Sequence, residues 1–163
     1  MRRGCYPGSF DPLTLAHLAI AEAARAQCAL DVVDLVLPDG TALGKDRHHQ
    51  SVEARVAAIE TAAASDRPWL RAVVRRERLL ADIASGYDVL LVGADKWAQV
   101  VDVAFYGTEA RRDEAVARLP HVAWAPRGDL APPAGVTVLS VPAWIGDVSS
   151  TAVRAGATRW RAT

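Results

Sequence analysis

The 163-residue sequence has little cysteine, no net charge and no long apolar segment. Its two cysteines, Cys5 and Cys28, lie far apart and form no C-x-x-C pair, so they predict reduced thiols rather than a disulfide or a zinc site. The 19 basic residues balance 19 acidic ones, which argues against nucleic acid or a membrane surface as the partner. No stretch suits a signal peptide or a membrane span, and we expect a cytoplasmic protein.

The sequence also lacks an internal repeat and a low-complexity tract, so neither a solenoid nor a disordered linker is indicated. Its length fits one domain, and we expect residues 1–163 to form a single unit. Two predicted loops, 38–50 and 126–135, are too short to be domain linkers. The first of them carries glycines and charges and is a candidate lid over a substrate.

Apolar, strand-like runs alternate along the chain with helical patterns. This alternation predicts an α/β fold in which helices cover both faces of a mainly parallel sheet. The predicted strands are 4–6, 32–37, 70–74, 89–92, 121–125 and 136–141. The predicted helices are 15–27, 51–64, 77–84 and 108–118, followed by a short one that begins at Ser149 or Ser150. Residues 96–106 combine helical spacing with an irregular end, so the pattern does not decide between a helix and irregular structure there.

The most informative stretch is Gly8-Ser9-Phe10-Asp11-Pro12-Leu13-Thr14-Leu15-Ala16-His17, which joins the first predicted strand to the first predicted helix. Gly8 allows a ligand to approach the backbone, and Thr14 can cap a helix whose first turn has free N–H groups. His17 lies beside the positive end of that helix dipole, where an anion is favoured. A tight turn with Asp11 bonded to its own backbone explains the stretch equally well.

A second anion cradle is predicted at Val148-Ser149-Ser150-Thr151-Ala152-Val153-Arg154. Its three hydroxyls stand at a predicted helix start, and Arg154 follows about one turn later on the same face. Hydroxyls, N–H groups and a guanidinium can together hold phosphate oxygens. Taken alone, the segment is also explained by an ordinary capped helix with a surface arginine. The two stretches together favour a polyphosphate site.

Both stretches resemble the nucleotidylyltransferase superfamily, which has G-[ST]-F-D-P-x-[HT]-x-G-H at its first strand–helix junction and I-S-S-T-x-x-[RK] near its end. Two positions depart from these motifs: Ala16 replaces a glycine and can crowd the nucleotide, and Val148 replaces an isoleucine. The resemblance implies a single Rossmann-like, doubly wound domain. It also implies an enzyme that transfers an adenylyl group from ATP to a phosphomonoester and releases pyrophosphate.

The resemblance further implies roles for individual residues. The ATP-binding residues are expected to be Gly8, Ser9, Phe10, His17, Gly93, Asp95, Ser149, Ser150, Thr151 and Arg154. The catalytic residues are expected to be His17, Thr14, Lys45 and Arg154, and the substrate-binding residues Lys45, Arg55 and Trp97. Mg²⁺ is expected to bridge phosphate oxygens of ATP, because the sequence offers no carboxylate cluster that would hold it unaided. A phosphomonoester is mostly ionised at neutral pH, with a second pKa of about 6, so it needs positioning rather than a protein base.

Several of these residues also have ordinary structural explanations. Lys45 and Arg55 are equally well explained as solvated surface charges. Core packing explains Trp97 slightly better than stacking on a ligand, and Trp144 is equally ambiguous. Five other loop residues are expected to be solvated, namely His48, His49, Arg75, Arg76 and Arg78. One of the three arginines can instead face the pocket.

The acceptor is the open part of this interpretation. The start of the chain, its length and Thr14 resemble phosphopantetheine adenylyltransferase, whereas Gly93-Ala94-Asp95 and the Lys45 loop resemble nicotinate mononucleotide adenylyltransferase. The Ser-Tyr-Thr segment of the latter is absent, since the chain reads Ala84-Ser85-Gly86-Tyr87-Asp88. Nicotinate or nicotinamide mononucleotide is our first choice and phosphopantetheine the second. The alternative from another functional class is a protein that binds a nucleotide without catalysing a reaction.

Overall fold

Six parallel strands form the centre of the fold. They are β1 (Arg3–Pro7), β2 (Val32–Pro38), β3 (Leu70–Arg75), β4 (Val89–Gly93), β5 (His121–Ala125) and β6 (Thr137–Val138). Their order across the sheet is β3-β2-β1-β4-β5-β6, and every neighbouring pair is parallel. The computed structural model describes residues 1–40 and 48–162, so the predictions for Lys45 and for a lid at 38–50 lie wholly or largely outside the described residues.

Helices cover both faces of this sheet, which confirms the predicted Rossmann-like α/β fold. They are α1 (Leu15–Gln27), α2 (Val52–Asp66), α3 (Leu80–Ile83), α4 (Ala94–Val100), α5 (Glu109–Ala117) and α6 (Ser150–Arg154). One core cluster joins α1 and α2 to the sheet, and a second joins α3 and α4 to the opposite face. Strand β2 shows the alternation that makes this possible, because Leu35 and Leu37 belong to the first cluster and Val36 to the second.

Two elements are shorter than predicted. Helix α3 begins at Leu80 rather than 77, because Leu79 is still extended and the buried side chains of the helix begin at Leu80. Strand β6 contains two residues instead of six, since it pairs with β5 alone at the edge of the sheet. The chain then turns inward at Leu139, which is buried. In both segments, tertiary packing sets the length that local propensity overestimates.

The undecided segment 96–106 contains both structures that its pattern suggested. Helix α4 ends at Val100, and a 3₁₀ turn follows at Val103–Phe105. The hydroxyl of Tyr106 donates a 2.7 Å hydrogen bond to the carbonyl of Val100, which ties the turn to the end of the helix.

Both cysteines are free thiols, as predicted. Burial raises the pKa of Cys5 to about 12. Within the described residues, no helix is long and apolar enough to cross a membrane.

A buried carboxylate links the first three strands toward their amino ends. Asp34 is fully buried and accepts 2.8 Å hydrogen bonds from Arg3, Arg71 and the hydroxyl of Tyr87. Burial by itself raises the pKa of Asp34, but the hydrogen bonds from Arg71, Arg3 and Tyr87 outweigh it, so the pKa is lowered. Burial, followed by the bond to Asp34, raises the pKa of Tyr87 to about 12. The cluster anchors the end of the sheet opposite the candidate site.

Candidate active site

The candidate site lies at the carboxyl ends of the strands, where β1 and β4 are neighbours. The chain winds outward in opposite directions from this pair, and such a switch point opens a crevice in a parallel sheet. A cavity of about 360 Å³, which we call the β1–β5 cavity, extends over the ends of β1, β4 and β5. The predicted residues that line it are Gly8, Ser9, Phe10, Thr14, His17, Gly93, Asp95, Ser149 and Ser150.

The bend after β1 depends on contacts between Gly8 and aromatic rings. A Cβ at Gly8 would lie 2.8 Å from the ring of Phe10, so the glycine is required for packing whether or not a ligand approaches. Phe10 has a positive φ of 47° and is almost fully buried. Its ring meets those of Tyr6 and His17 edge-on, with centroids 5.4 Å and 5.0 Å away. This packing holds the loop against the start of α1.

A reciprocal cap fixes the start of α1. The hydroxyl of Thr14 accepts a 3.4 Å hydrogen bond from the N–H of His17, and Nδ1 of His17 accepts a 3.0 Å bond from the N–H of Thr14. A backbone N–H can only donate, so Nδ1 is the unprotonated nitrogen and the neutral ring carries its proton on Nε2. His17 therefore brings a donor, rather than a base, to the wall of the β1–β5 cavity.

The C-terminal segment binds three successive carbonyls of the loop after β1. Arg154 donates to the carbonyl of Asp11, the hydroxyl of Ser150 donates to Pro12 at 2.9 Å, and the N–H of Ala162 donates to Leu13 at 3.1 Å. The two motifs predicted from the sequence are thus in direct contact.

Only some residues of the second motif line the β1–β5 cavity. Ser149 and Ser150 line the β1–β5 cavity, whereas Thr151 and Arg154 do not. The hydroxyl of Ser149 caps α6, and Arg154 also contacts the hydroxyl of Thr151 at 3.2 Å. Thr151 and Arg154 are both exposed at the surface, and the direct phosphate contacts expected of them stay predictions.

Asp11 connects the loop after β1 to the start of α2. Its buried carboxylate accepts hydrogen bonds from the N–H groups of His49 at 2.6 Å and Gln50 at 3.1 Å. His48 lies nearby, with Nδ1 3.8 Å from the carboxylate and only 7% of its side chain exposed. The expectation that His48 is an exposed loop residue is therefore wrong, whereas His49 is exposed as expected.

Arg55 supports the same loop from within the protein. It is 1% exposed and donates hydrogen bonds to the carbonyls of Ser9 at 2.9 Å and Ser51 at 3.3 Å. Burial lowers the pKa of its guanidinium, and the charge of Asp11 opposes that change. The interpretation of Arg55 as a solvated surface charge is wrong. Its predicted contact with substrate stays a prediction, since it lines neither of the two cavities.

The wall of the β1–β5 cavity that follows β4 has open space at Gly93 and a charged side chain at Asp95. A Cβ at Gly93 would meet no atom within 4 Å, so this part of the β1–β5 cavity has free space. Asp95 forms a 3.0 Å ion pair with Arg127, and both side chains are substantially exposed. Trp97 packs against the second core cluster and lines neither cavity, which agrees with the packing alternative. Trp144 stacks on Trp160 at 5.3 Å.

A second cavity, of about 260 Å³, lies over the ends of β1, β2 and β3. We call it the β1–β3 cavity. It shares five lining residues with the β1–β5 cavity: Pro7, Gly8, Ser9, Lys96 and Gln99. The two spaces therefore meet above the end of β1, beside the first turns of α4.

Sequence reasoning missed three residues of this arrangement. Lys96 and Gln99 are three positions apart on α4, so they face the same way, and their spacing after Gly93 is the signal that was available. Asp11 was interpreted only as a local turn residue, and its partners lie 38 and 39 positions away. No group of three or more histidine, cysteine or acidic side chains is arranged to hold a metal among residues 1–40 and 48–162.

The family model of cytidylyltransferase-like proteins matches residues 5–156. The chain belongs to the cytidylyltransferase-like family. This cytidylyltransferase-like protein is 45% identical over 62 residues to phosphopantetheine adenylyltransferases from two strains of Cereibacter sphaeroides. The match covers 37% of the chain and 35% of those proteins, so the chain spans about a third of the length of the curated relatives it matches.

A solved structure confirms the fold more broadly. Plasmodium falciparum nicotinic acid mononucleotide adenylyltransferase complexed with NaAD superimposes with a TM-score of 0.63. The superposition covers 95% of this chain and 83% of that one at 13% sequence identity. At this identity the likeness concerns the fold, and it agrees with the α/β architecture predicted from the sequence.

Proposed function

We propose that this cytidylyltransferase-like protein transfers an adenylyl group from ATP to a phosphomonoester and releases pyrophosphate. The observation that carries the proposal is the junction of the two cavities above β1, where Ser9, Lys96 and Gln99 line both. ATP in the β1–β5 cavity and the acceptor in the β1–β3 cavity would bring their phosphates together over one loop. The names of the relatives support adenylyl transfer, because both are adenylyltransferases.

The β1–β5 cavity suits a nucleoside triphosphate. Gly93 leaves space for a nucleoside along the wall after β4, and the start of α1 offers N–H groups to phosphate oxygens. The Nε2–H of His17 and the ammonium of Lys96 add donors and positive charge. Mg²⁺ would enter with ATP as part of the substrate, bound to phosphate oxygens, since the described residues form no metal cluster of their own.

The reaction needs positioning more than it needs proton transfer. An ionised oxygen of the acceptor phosphate attacks the α-phosphorus of ATP, and the bond from that phosphorus to the bridging oxygen breaks. The electron pair leaves with pyrophosphate. The acceptor is already ionised near neutral pH, so no side chain has to remove a proton. His17 and Lys96 would stabilise the negative charge that spreads over the phosphoryl oxygens.

The substrates in the names of the relatives support two candidate acceptors. The solved neighbour acts on nicotinic acid mononucleotide, whereas the matched Cereibacter sphaeroides proteins act on phosphopantetheine. Nicotinate or nicotinamide mononucleotide remains our first choice, on the Gly93-Ala94-Asp95 segment, and would place the protein in the synthesis of a coenzyme of the NAD type. Phosphopantetheine is the second choice.

A nucleotide-binding protein without catalysis is the competing function. Ala16 favours it, because its methyl group lies in the wall of the β1–β5 cavity and the residue is only 5% exposed. The two functions differ in what happens to bound ATP. Catalysis releases pyrophosphate when an acceptor is added, whereas a binding protein retains ATP intact.

The test measures pyrophosphate release from ATP and Mg²⁺ with each acceptor. His17→Ala should lower kcat/KM by about 100-fold, as removal of a transition-state donor does. His121→Ala is the matched control, because His121 is exposed at the opposite end of the sheet and bonds only Thr137 among the described residues. Bound ATP with no pyrophosphate from any acceptor would favour the binding protein. Equal effects of the two variants would remove His17 from the mechanism.

A further inference from the structure

The β1–β3 cavity has an apolar floor and a basic far wall. The floor includes Val36, Leu37, Leu80 and Ile83. The far wall is formed by the segment between β3 and α3, which contributes three arginines and Glu77 to the lining, and Asp39 lines it after β2. We call them the arginine rim, and they are Arg75, Arg76 and Arg78. An acceptor lying along this cavity would rest on apolar side chains and end against guanidinium groups.

Within the described part of the chain, acidic side chains pair with two of the three rim arginines. Arg76 donates to Asp39 at 3.2 Å and Arg75 to Glu77 at 3.4 Å. Arg78 is exposed and forms no ion pair with any residue in the described part of the chain. Exposed pairs of this kind contribute little to stability, so a ligand anion can replace them at low cost. Among residues 1–40 and 48–162, the rim thus offers one positive charge without an ion-pair partner and two that are weakly held.

The rim is placed at the end of the cavity remote from the reaction. The acceptor phosphate must lie over β1, beside Ser9 and Lys96, in order to meet ATP. Strand β3 is two positions away in the sheet, roughly 10 Å across at the usual strand spacing. The arginines after β3 therefore face the other end of the acceptor and do not compete for its phosphate.

We propose that the arginine rim selects phosphomonoesters that carry a second anionic group, a carboxylate, at the end remote from the phosphate. The inference rests on the proposed function and deepens it, since it favours the nicotinate over the nicotinamide form of the mononucleotide. A guanidinium fork matches both oxygens of a carboxylate with charge-assisted hydrogen bonds. A carboxamide in the same place presents one acceptor oxygen and no charge.

Matched acid and neutral acceptors test this selection. Nicotinate and nicotinamide mononucleotide differ only in carboxylate against carboxamide. A second pair is 4′-phosphopantothenate, which ends in a carboxylate, and its primary amide, which has the same length and no charge at that end. Binding of each compound is measured by calorimetry and turnover by pyrophosphate release. Whichever pair the wild-type protein accepts, we expect it to bind and to turn over the acid about tenfold or more better than the neutral compound.

Substitutions in the arginine rim test whether its arginines cause the preference for the acid. Arg78→Gln and Arg75→Gln should each lower the acid-to-neutral ratio, and the two together should lower it about tenfold, mainly through KM. Arg78→Glu should reverse the preference. Arg111→Ala is the control, because it removes one positive charge from the exposed face of α5, outside both cavities.

The possible outcomes distinguish the inference from the proposed function. Equal binding and turnover of acid and neutral forms would overturn the inference and leave the proposed function standing. So would a ratio that falls as much in Arg111→Ala as in Arg78→Gln. Tighter binding of the acid through the rim without any pyrophosphate would support the inference and overturn the enzyme. Failure of all four compounds to bind would overturn both.

Discussion

The backbone N–H of Thr14 donates a 3.0 Å hydrogen bond to Nδ1 of His17, while the N–H of His17 donates to the hydroxyl of Thr14. We therefore propose that one histidine performs two tasks with two nitrogens. Nδ1 closes the helix cap, and Nε2 is the donor assigned to phosphate. Because the tasks use different atoms, substitutions can separate them.

His17→Asn and His17→Gln should differ in activity much more than in stability. Asparagine places an acceptor where Nδ1 lies but has no donor at the position of Nε2. We expect it to keep the cap and to lose about 100-fold in kcat/KM. Glutamine keeps an amide donor near Nε2, and its side-chain oxygen can still accept from the N–H of Thr14 as a capping-box residue does, so it should be more active than asparagine at similar stability. Pyrophosphate release and urea denaturation measure the two effects, and an asparagine variant as active as the glutamine variant would contradict the assignment.

Asp11→Asn should destabilise the protein more than an exposed aspartate change does. The substitution removes the larger of the two carboxylate charges that act on the buried guanidinium of Arg55 and sets an amide against the N–H groups of His49 and Gln50. We expect the free energy of unfolding to fall by about 3 kcal/mol. Asp113→Asn, on the exposed face of α5, should change it by less than about 0.5 kcal/mol. Similar denaturation midpoints for the two variants would refute the structural role of Asp11.

Asp34 should give the stability a defined dependence on pH. Its pKa in the folded protein lies below the unfolded value of about 3.9, so its ion pairs stabilise the fold above about pH 4. That contribution is lost as the pH falls through the folded pKa. Urea denaturation between pH 7 and pH 3 should show a steeper loss of stability for the wild type than for Asp34→Asn. Parallel curves would show that Asp34 does not titrate in this way.

The methyl group of Ala16 should limit the space for ATP. Ala16→Val adds two methyl groups to the wall of the β1–β5 cavity and should weaken ATP binding about tenfold. Ala16→Gly should tighten it. Calorimetric titration with MgATP measures both changes. Ala23→Val is the control, because Ala23 is on the same helix and lines neither cavity. Equal weakening by the two valine variants would mean that Ala16 does not contact the nucleotide.

The sequence predicts the parts of the site that are encoded locally. Thr14 and His17 are three residues apart, so their helix cap follows from spacing alone. The alternation of strands and helices predicts the parallel sheet, and the sheet places the loops after β1 and β4 at one edge. The family model of cytidylyltransferase-like proteins agrees with this interpretation across the chain.

Contacts between distant segments could not be predicted in this way. Arg154 meets the carbonyl of Asp11 across 143 positions, and no local pattern records that contact. Arg55 has the composition of a surface residue and is buried by the loop that it supports. The shared wall of the two cavities depends on how α4 approaches the end of β1, which is set by packing of Val100 and Ala94 in the second core cluster.

Phosphorus NMR of a single reaction tests the central claim most directly. The protein is mixed with ATP, Mg²⁺ and nicotinate mononucleotide, with phosphopantetheine in a parallel sample. We predict that the β and γ signals of ATP convert to pyrophosphate while a new phosphoanhydride joins the α-phosphorus to the acceptor, in equal amounts. Orthophosphate and ADP as the products, or unchanged ATP with both acceptors, would contradict adenylyl transfer by this protein.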